Sequence, residues 1–298
     1  MFVADRVIGL IGGSGLGHAL LREVKGQERR VKTPFGEPSS AIVLADWEGA
    51  KVAFLPRHGP GHTIPPTAVP YRANIYALKS VGVTQILASG AVGSLREEIR
   101  PRDLVVVDQV IDRTTRRAST FFDEPGIAAH VEFSEPFCPT LRKAMLSVGE
   151  ALELTIHDGG TYVCMEGPAF STVAESRMHR SWGGDLIGMT CMPEAKLARE
   201  AEICYALLAL PTDYDCWRPH DPNTDKRALL AEIIHNMEAA TANSIQLIRT
   251  VVRALVGGPP SSCGCQSALE LAIWTNKKEA SPETVARLGP IVARHFTA

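Results

Sequence analysis

Along the chain, short runs of β-branched and other apolar residues alternate with longer stretches whose apolar residues recur at three- and four-residue steps. The short runs, at 6–11, 41–44, 51–55, 85–88, 104–107, 161–165 and 205–210, predict strands. The longer stretches, at 73–81, 139–152, 171–182, 193–202 and 224–255, predict helices, the last one long and amphipathic. Strands alternating with helices predict an α/β domain with a mostly parallel or mixed sheet. One composition shift stands out: GGPPSSCGC at 257–265 breaks the long helix. The remaining C-terminal segment is too short for a second domain, so the expectation is a single domain over 1–298, with 257–298 as an extension holding one or two short helices.

Composition narrows the partners. The 298 residues are 45% hydrophobic, enough for a sizeable core. Thirty-one Lys and Arg against 33 Asp and Glu give a net charge of −2, which removes the electrostatic case for a nucleic acid or an anionic membrane and favours a small molecule. No apolar run approaches the roughly 18 residues of a membrane span. The start, MFVADRVIGL, lacks the basic end and longer apolar stretch of a secretion signal, so a cytoplasmic protein is expected. Seven cysteines is an odd count, and Cys138, Cys164, Cys191, Cys204 and Cys216 are scattered, as suits buried thiols of a reducing compartment. Cys263-Gly264-Cys265 lacks a second pair, and the nine histidines show no ligand spacing, so no metal site is expected.

Candidate chemistry lies just past the strand-like runs, where ligands of open α/β sheets gather. The first strand enters Gly12-Gly13-Ser14-Gly15, either a phosphate loop of backbone N–H groups and a hydroxyl or a plain strand-to-helix turn. A dinucleotide fingerprint fails there, because the last glycine it needs is His18. Pro56-Arg57-His58-Gly59 then sets a guanidinium fork and an imidazole in a glycine-flanked loop, as phosphate recognition or as surface charge. Ser89-Gly90-Ala91-Val92-Gly93-Ser94-Leu95 reads as a third strand-to-helix junction with small residues and accessible amides. Beyond the 161–165 run, Phe170 offers a flat face for a planar ring, and Ser171 is either a helix cap or a pocket hydroxyl. The last strand ends in Pro211-Thr212-Asp213-Tyr214-Asp215, two carboxylates that either converge on a ligand or serve as turn residues. No nucleophile elbow and no triphosphate-binding loop is present.

Together, GLIGGSGL, PRHGPGHTIPP, YRANIYAL, GAVGSLREEIRPRDLVVVDQVIDRT, MEGPAFST, IGMTCMPEAKLAREAEICYA and PTDYDCW resemble the 5'-methylthioadenosine phosphorylases of the trimeric purine nucleoside phosphorylase family, in register from about Val7 to Trp217. The resemblance implies the nucleoside phosphorylase fold, a central mixed β-sheet flanked by helices. It also implies phosphorolysis, in which phosphate attacks the anomeric carbon of a purine nucleoside through an oxocarbenium-like transition state. Phosphate is then a co-substrate, and no cofactor is expected. Carried over by position, Ser14, Arg57, His58, the Ala91 amide and Thr190 would bind phosphate, with Met189 along the ribose. Asp213 would face N7 of the purine, steadied by Ser171, and Asp215 would accept from the 6-amino group. A carboxyl acting on N7 near neutral pH needs a raised pKa or a shared proton.

Relatives acting on 6-oxopurines carry Asn in the place of Asp213 and Glu in that of Ser171, so the pattern here fits a 6-aminopurine. His130 matches a residue that reaches the 5' pocket of the adjacent subunit, which implies a homotrimer with shared sites. Two departures stand out. Residues 218–223 are polar where the family packs apolar residues over the 5' substituent, with Leu229 and Leu230 as substitutes. Gly90 replaces a larger hydroxyl residue, and the Cys-x-Cys tail resembles one that forms a disulfide in some microbial members, although free thiols are favoured here. The alternatives are a broader phosphorylase using adenosine or 5'-methylthioinosine, a nucleoside sensor without turnover, and a nicotinamide-dependent enzyme. Intact Ser14, Arg57, His58 and Thr190 argue against the sensor.

Overall fold

The computed structural model describes residues 7–218, 225–257 and 263–296. In chain order its strands are β1 (Val7–Gly12), β2 (Gln27–Arg29), β3 (Ile42–Trp47), β4 (Ala50–Pro56), β5 (Val83–Ser94), β6 (Leu104–Val106), β7 (Gln109–Asp112), β8 (Ile156–Asp158), β9 (Thr161–Cys164), β10 (Leu186–Gly188) and β11 (Cys204–Asp213). The helices are α1 (Leu16–Glu23), α2 (Tyr71–Ser80), α3 (Pro139–Ala151), α4 (Val173–Ser181), α5 (Cys191–Glu200), α6 (Lys226–Gly257), α7 (Pro282–Leu288) and α8 (Ala293–Phe296). Each predicted strand and helix has its counterpart, within three residues at either end except for β5, which runs six residues beyond the predicted strand. Four strands of three or four residues, β2, β7, β8 and β10, and helix α1 were not predicted, because runs that short show no period.

All eleven strands belong to one mixed sheet. β1 lies parallel between β4 and β5, and β11 runs parallel along the other edge of β5. β10 pairs antiparallel with the far end of β5 through Gly93 and Ser94. Residues 89–95 are therefore not a strand-to-helix junction: β5 continues to Ser94, held on both edges. Small residues suit that crowding, since a Cβ on Gly93 would lie 2.9 Å from the Ile187 side chain.

Helices cover both faces of the sheet. One core joins Ile11, Leu55 and Ile86 to α2 and α5 and takes in Leu269, Leu288 and Ile291 of the tail; the other joins Leu10, Phe54 and Leu208 to α1, α3 and α6. The tail thus packs into the same core as the sheet, and Ile273 bridges back to Ala129. Among the described residues no helix is long and apolar enough to cross a membrane.

Candidate active site

The turns after β1, β4, β9, β10 and β11 and the far half of β5 open into one cavity of about 600 Å³. Its lining includes Ser14, Arg57, His58, Ala91, Phe170, Ser171, Met189, Thr190, Asp213 and Asp215. Ten of the eleven predicted site residues therefore meet, although they span 202 positions of sequence, from 14 to 215. His130 is the exception: it is exposed, outside the cavity of its own chain, with its ring 4.8 Å from that of Trp274.

One end of the cavity is built around Arg57, which has no exposed surface. Its Nε and Nη2 donate to the two carboxylate oxygens of Glu194, each at 2.7 Å, and Nη1 donates to the Ser89 carbonyl at 2.8 Å. The Tyr205 hydroxyl donates to the same Glu194 at 2.8 Å. Burial opposes the charge on Arg57, but Glu194 outweighs it and keeps the guanidinium protonated. Three of its five N–H donors are committed, so the fork is fixed in direction with two still available. A buried pair of this kind, once broken, costs about 3–5 kcal/mol, so Glu194 holds a cation that the bare cavity would reject. Gly13 lies against this group: a Cβ there would come within 2.8 Å of both Arg57 Nη1 and the Ser89 carbonyl. The Arg57 N–H, in turn, donates to the Gly12 carbonyl at 3.0 Å, joining the two loops.

His58 follows, its Nδ1 2.8 Å from the Ile64 carbonyl. A carbonyl only accepts, so Nδ1 carries the proton and Nε2 is the open lone pair in the neutral ring. Burial first, and Arg57 beside it, push the His58 pKa down to about 4. This end thus combines a fixed cation, a neutral imidazole, the half-buried Ser14, and Thr190, the residue that opens α5. Gly90 leaves ordinary contact distance to Thr190, 3.4 Å from an added Cβ.

At the other end, β11 finishes in a tight acidic turn. Asp213 Oδ1 accepts from the Thr212 hydroxyl at 2.7 Å and Oδ2 from the Asp215 N–H at 2.9 Å. The two carboxylates do not share a strand face. Asp215 adopts a left-handed φ of 48°, a conformation Asp tolerates better than most residues, and Oδ2 of its carboxylate is buried without a partner among the described residues. From α6, the Asn236 side chain donates to the Thr212 carbonyl at 2.9 Å, while Arg102 donates to Asn236 at 2.7 Å. Thr172, not Ser171, caps α4, through a capping box with Glu175. The Ser171 hydroxyl donates to Met165 Sδ at 3.7 Å, and its carbonyl accepts from the Cys216 thiol at 3.2 Å. Thr212 and the Asp215 amide accordingly hold Asp213 in the part expected of Ser171.

Between the ends, Arg117 ties the wall together, with only 1% of its side chain exposed. It donates to Glu166 Oε1 at 3.0 Å and to the carbonyls of Glu166, Met189 and Met192 at 2.6–2.7 Å. Burial would raise the Glu166 pKa, but the N–H groups of Thr115 and Arg116 and the Arg117 and Thr67 side chains hold it at about 2. Leu229 lines the cavity as expected, joined by Ile233 and Met237 of α6; Leu230 is exposed instead. Of the polar stretch 218–223, only Arg218 lies within the described residues.

Sequence reasoning missed Glu194, Arg117, Asn236, Ile233 and Met237. It also set aside the Cys-x-Cys pair as lacking a partner pair. In the folded chain the Cys138, Cys204, Cys263 and Cys265 sulfurs all lie within 4.8 Å of one another, so that ground for excluding a metal site fails.

Residues 7–253 match the phosphorylase superfamily. An S-methyl-5'-thioadenosine phosphorylase of Gloeobacter violaceus is 49% identical over 293 residues, covering 97% of this chain and 95% of the relative. One from Geobacter sulfurreducens is 49% identical over 296 residues, covering 98% and 99%. Among solved structures, a methylthioadenosine phosphorylase from an Antarctic soil metagenomic library is similar with a TM-score of 0.87 and 43% identity, covering 97% of this chain and 99% of that one. A methylthioadenosine phosphorylase from Schistosoma mansoni in complex with adenine is similar with a TM-score of 0.82 and 32% identity, covering 90% and 99%.

Proposed function

Because the chain belongs to the phosphorylase superfamily, we propose that it cleaves 5'-methylthioadenosine with phosphate, giving adenine and 5-methylthioribose 1-phosphate. The observation that carries this reading is the two-ended cavity. A fixed guanidinium with two available N–H groups shares its lining with a turn of two carboxylates, in a cavity of about 600 Å³.

Phosphate binds at the Arg57 end, with Ser14, the Ala91 amide and Thr190 as donors, and His58 Nε2 accepts from its P–OH. Held beneath the sugar, the anion stabilises the positive charge that develops on the ribose as the bond to the purine stretches. Phe170 flanks the purine and Met189 the ribose. At the other end Asp213 shares a proton with N7 of the departing base, and Asp215 accepts from the 6-amino group. A 6-oxopurine would set its carbonyl oxygen against that carboxylate, a mismatch that costs orders of magnitude in a dry site. The reaction uses phosphate as co-substrate and needs no cofactor.

Leu229, Ile233 and Met237 give the cavity an apolar wall, which favours a methylthio group over a hydroxyl at the 5' position. The reading extends to a cytoplasmic homotrimer, in purine and methionine salvage, with His130 entering the neighbouring site. Phe170, 85% exposed at the rim of its own cavity, supports completion of the pocket by a second copy.

The test is base release from methylthioadenosine, adenosine, methylthioinosine and inosine, each with and without phosphate. Phosphate-dependent adenine release, fastest from methylthioadenosine, is expected. Comparable rates with adenosine would overturn the 5' preference, release from 6-oxo nucleosides alone would overturn the roles of the two aspartates, and no release from any would overturn the catalytic reading.

A further inference from the structure

Four of the seven cysteines, drawn from three distant parts of the chain, converge at the end of the sheet away from the cavity. Cys204 opens β11, whose last residue is Asp213. Nine steps of roughly 3.3 Å therefore put it about 30 Å from the reacting groups. Cys138 precedes the first turn of α3, and its backbone N–H donates to the Tyr205 carbonyl at 2.8 Å, which fixes it beside Cys204. Cys263 and Cys265 arrive from the tail. The sulfur of Cys263 lies 3.5 Å from that of Cys138 and 3.3 Å from that of Cys204, and no pair of the four is more than 4.8 Å apart.

We propose that Cys138, Cys204, Cys263 and Cys265 form a tetrathiolate site for a soft divalent cation, zinc above all, which fastens the C-terminal tail to the sheet. A tetrahedron with metal–sulfur bonds of about 2.3 Å has sulfurs roughly 3.8 Å apart, and the observed spread brackets that value. Thiolates in this arrangement select zinc over the hard cations. The surroundings are apolar: Cys138, Cys204 and Cys265 are buried in the core that contains Leu141 and Leu208, so few other ligands compete. Cys263 is half-buried and gives the ion its way in. Cys138 stands at the N-terminal end of α3, where unpaired N–H groups favour negative charge. On binding, the four thiols release four protons to solvent and the divalent ion becomes a complex of net charge −2.

The tail is already docked beside this point. Glu202, two residues before Cys204, accepts from the Leu269 N–H at 2.9 Å and from Arg294 Nη2 at 2.6 Å. The cation would add a second fastening at the place where the tail returns from α6 to the sheet. Its role is structural, since it lies far from the cavity.

The experiment is elemental analysis of the full-length protein, expressed without added metal and purified anaerobically. About one zinc per chain is expected. Zinc should be released when a mercurial blocks the thiols, and cobalt exchange should give the visible bands of a tetrahedral tetrathiolate. Cys263→Ser, at the most accessible ligand, should lower metal content below about a tenth and reduce the thermal midpoint. Cys216→Ser, outside the cluster, should keep its metal. Seven titratable thiols with no metal and no cobalt bands would overturn the proposal in favour of packed thiols. Fewer than seven in the denatured, unreduced protein, again with no metal, would overturn it in favour of disulfides.

Discussion

Asp213 and His58 show how single groups at the two ends of the cavity are prepared by their neighbours. Asp213 is aimed by two donors from its own turn, Thr212 Oγ1 and the Asp215 N–H. Replacing it with Asn keeps the shape and removes the carboxyl that can share a proton with N7. Asp213→Asn should therefore lower kcat on methylthioadenosine by about 10²–10⁴ and raise the relative use of methylthioinosine. Steady-state kinetics with both substrates checks this, and a wild-type kcat on the first would show that Asp213 does not act at N7. His58 is neutral in the fold, with its pKa at about 4 against an ordinary value of 6.5, first through burial and then through Arg57. The unfolded chain takes up a proton at this ring below pH 6.5, while the folded one does so only near pH 4. Stability contributed by the neutral ring is thus fully present above pH 6.5 and lost as pH falls from 6.5 to 4. Thermal melts across that window without phosphate should show the midpoint falling with acid. The fall should be shallower in His58→Asn, and an identical slope in both proteins would place the titrating group elsewhere.

At the level of elements, the wall of the cavity depends on a strap, residues 115–117, that reaches across to the β9 and β10 turns. Arg117→Met would strand the carbonyls of Glu166, Met189 and Met192. A loss of about 3–5 kcal/mol is expected, together with a rise in KM for the nucleoside that exceeds the fall in kcat; melts and steady-state kinetics check both. This strap also marks the limit of what the chain discloses unaided. The strands at 51–55 and 205–210 and the helix over 139–152 are legible because their apolar periods run long enough to be counted. Arg117 sits in Thr114-Thr115-Arg116-Arg117, which reads as a solvated polar loop. Its burial is decided by Glu166, 49 residues away, and Met189, 72 away. Ser14, Arg57 and the two aspartates were legible because glycines and strand ends mark their places, whereas Glu194 hides among ordinary helix formers. Cys138 and Cys204 look unrelated, for the same reason of distance. The continuous β5 was misread at 89–95 because glycine and serine usually announce a turn, and only strands on both edges make them strand residues.

At the scale of the whole molecule, two of the most exposed apolar side chains among the described residues lie in the tail. Trp274, 74% exposed, sets its ring against that of His130; Leu271, three residues earlier in the tail, is 93% exposed, and Phe170 projects from the cavity rim. Isolated exposed apolar side chains are common, but two in one short stretch of the tail, one of them against a residue expected in a neighbouring site, fit an interface between copies. Light scattering after size exclusion should give three chains per particle. Leu271→Asp with Trp274→Ser should shift the distribution toward smaller species and lower activity with it, and an unchanged trimer would move the interface elsewhere.

The position of β5 has a consequence for how rigidity is shared out. β5 has partner strands along both edges, β1 and β10 on one side and β11 on the other, and it forms the floor of the cavity at Gly90–Gly93. The first turns of α6 also line the cavity, yet residues 226–235 are mostly exposed, whereas Leu247, Ile248, Val251 and Val252 anchor its second half. In deuterium, amides of β5 should be among the last to exchange, released only by global unfolding, and those of 226–235 among the first. Substrate entry and product escape would then be timed by the fraying of one helix end over a floor that never opens.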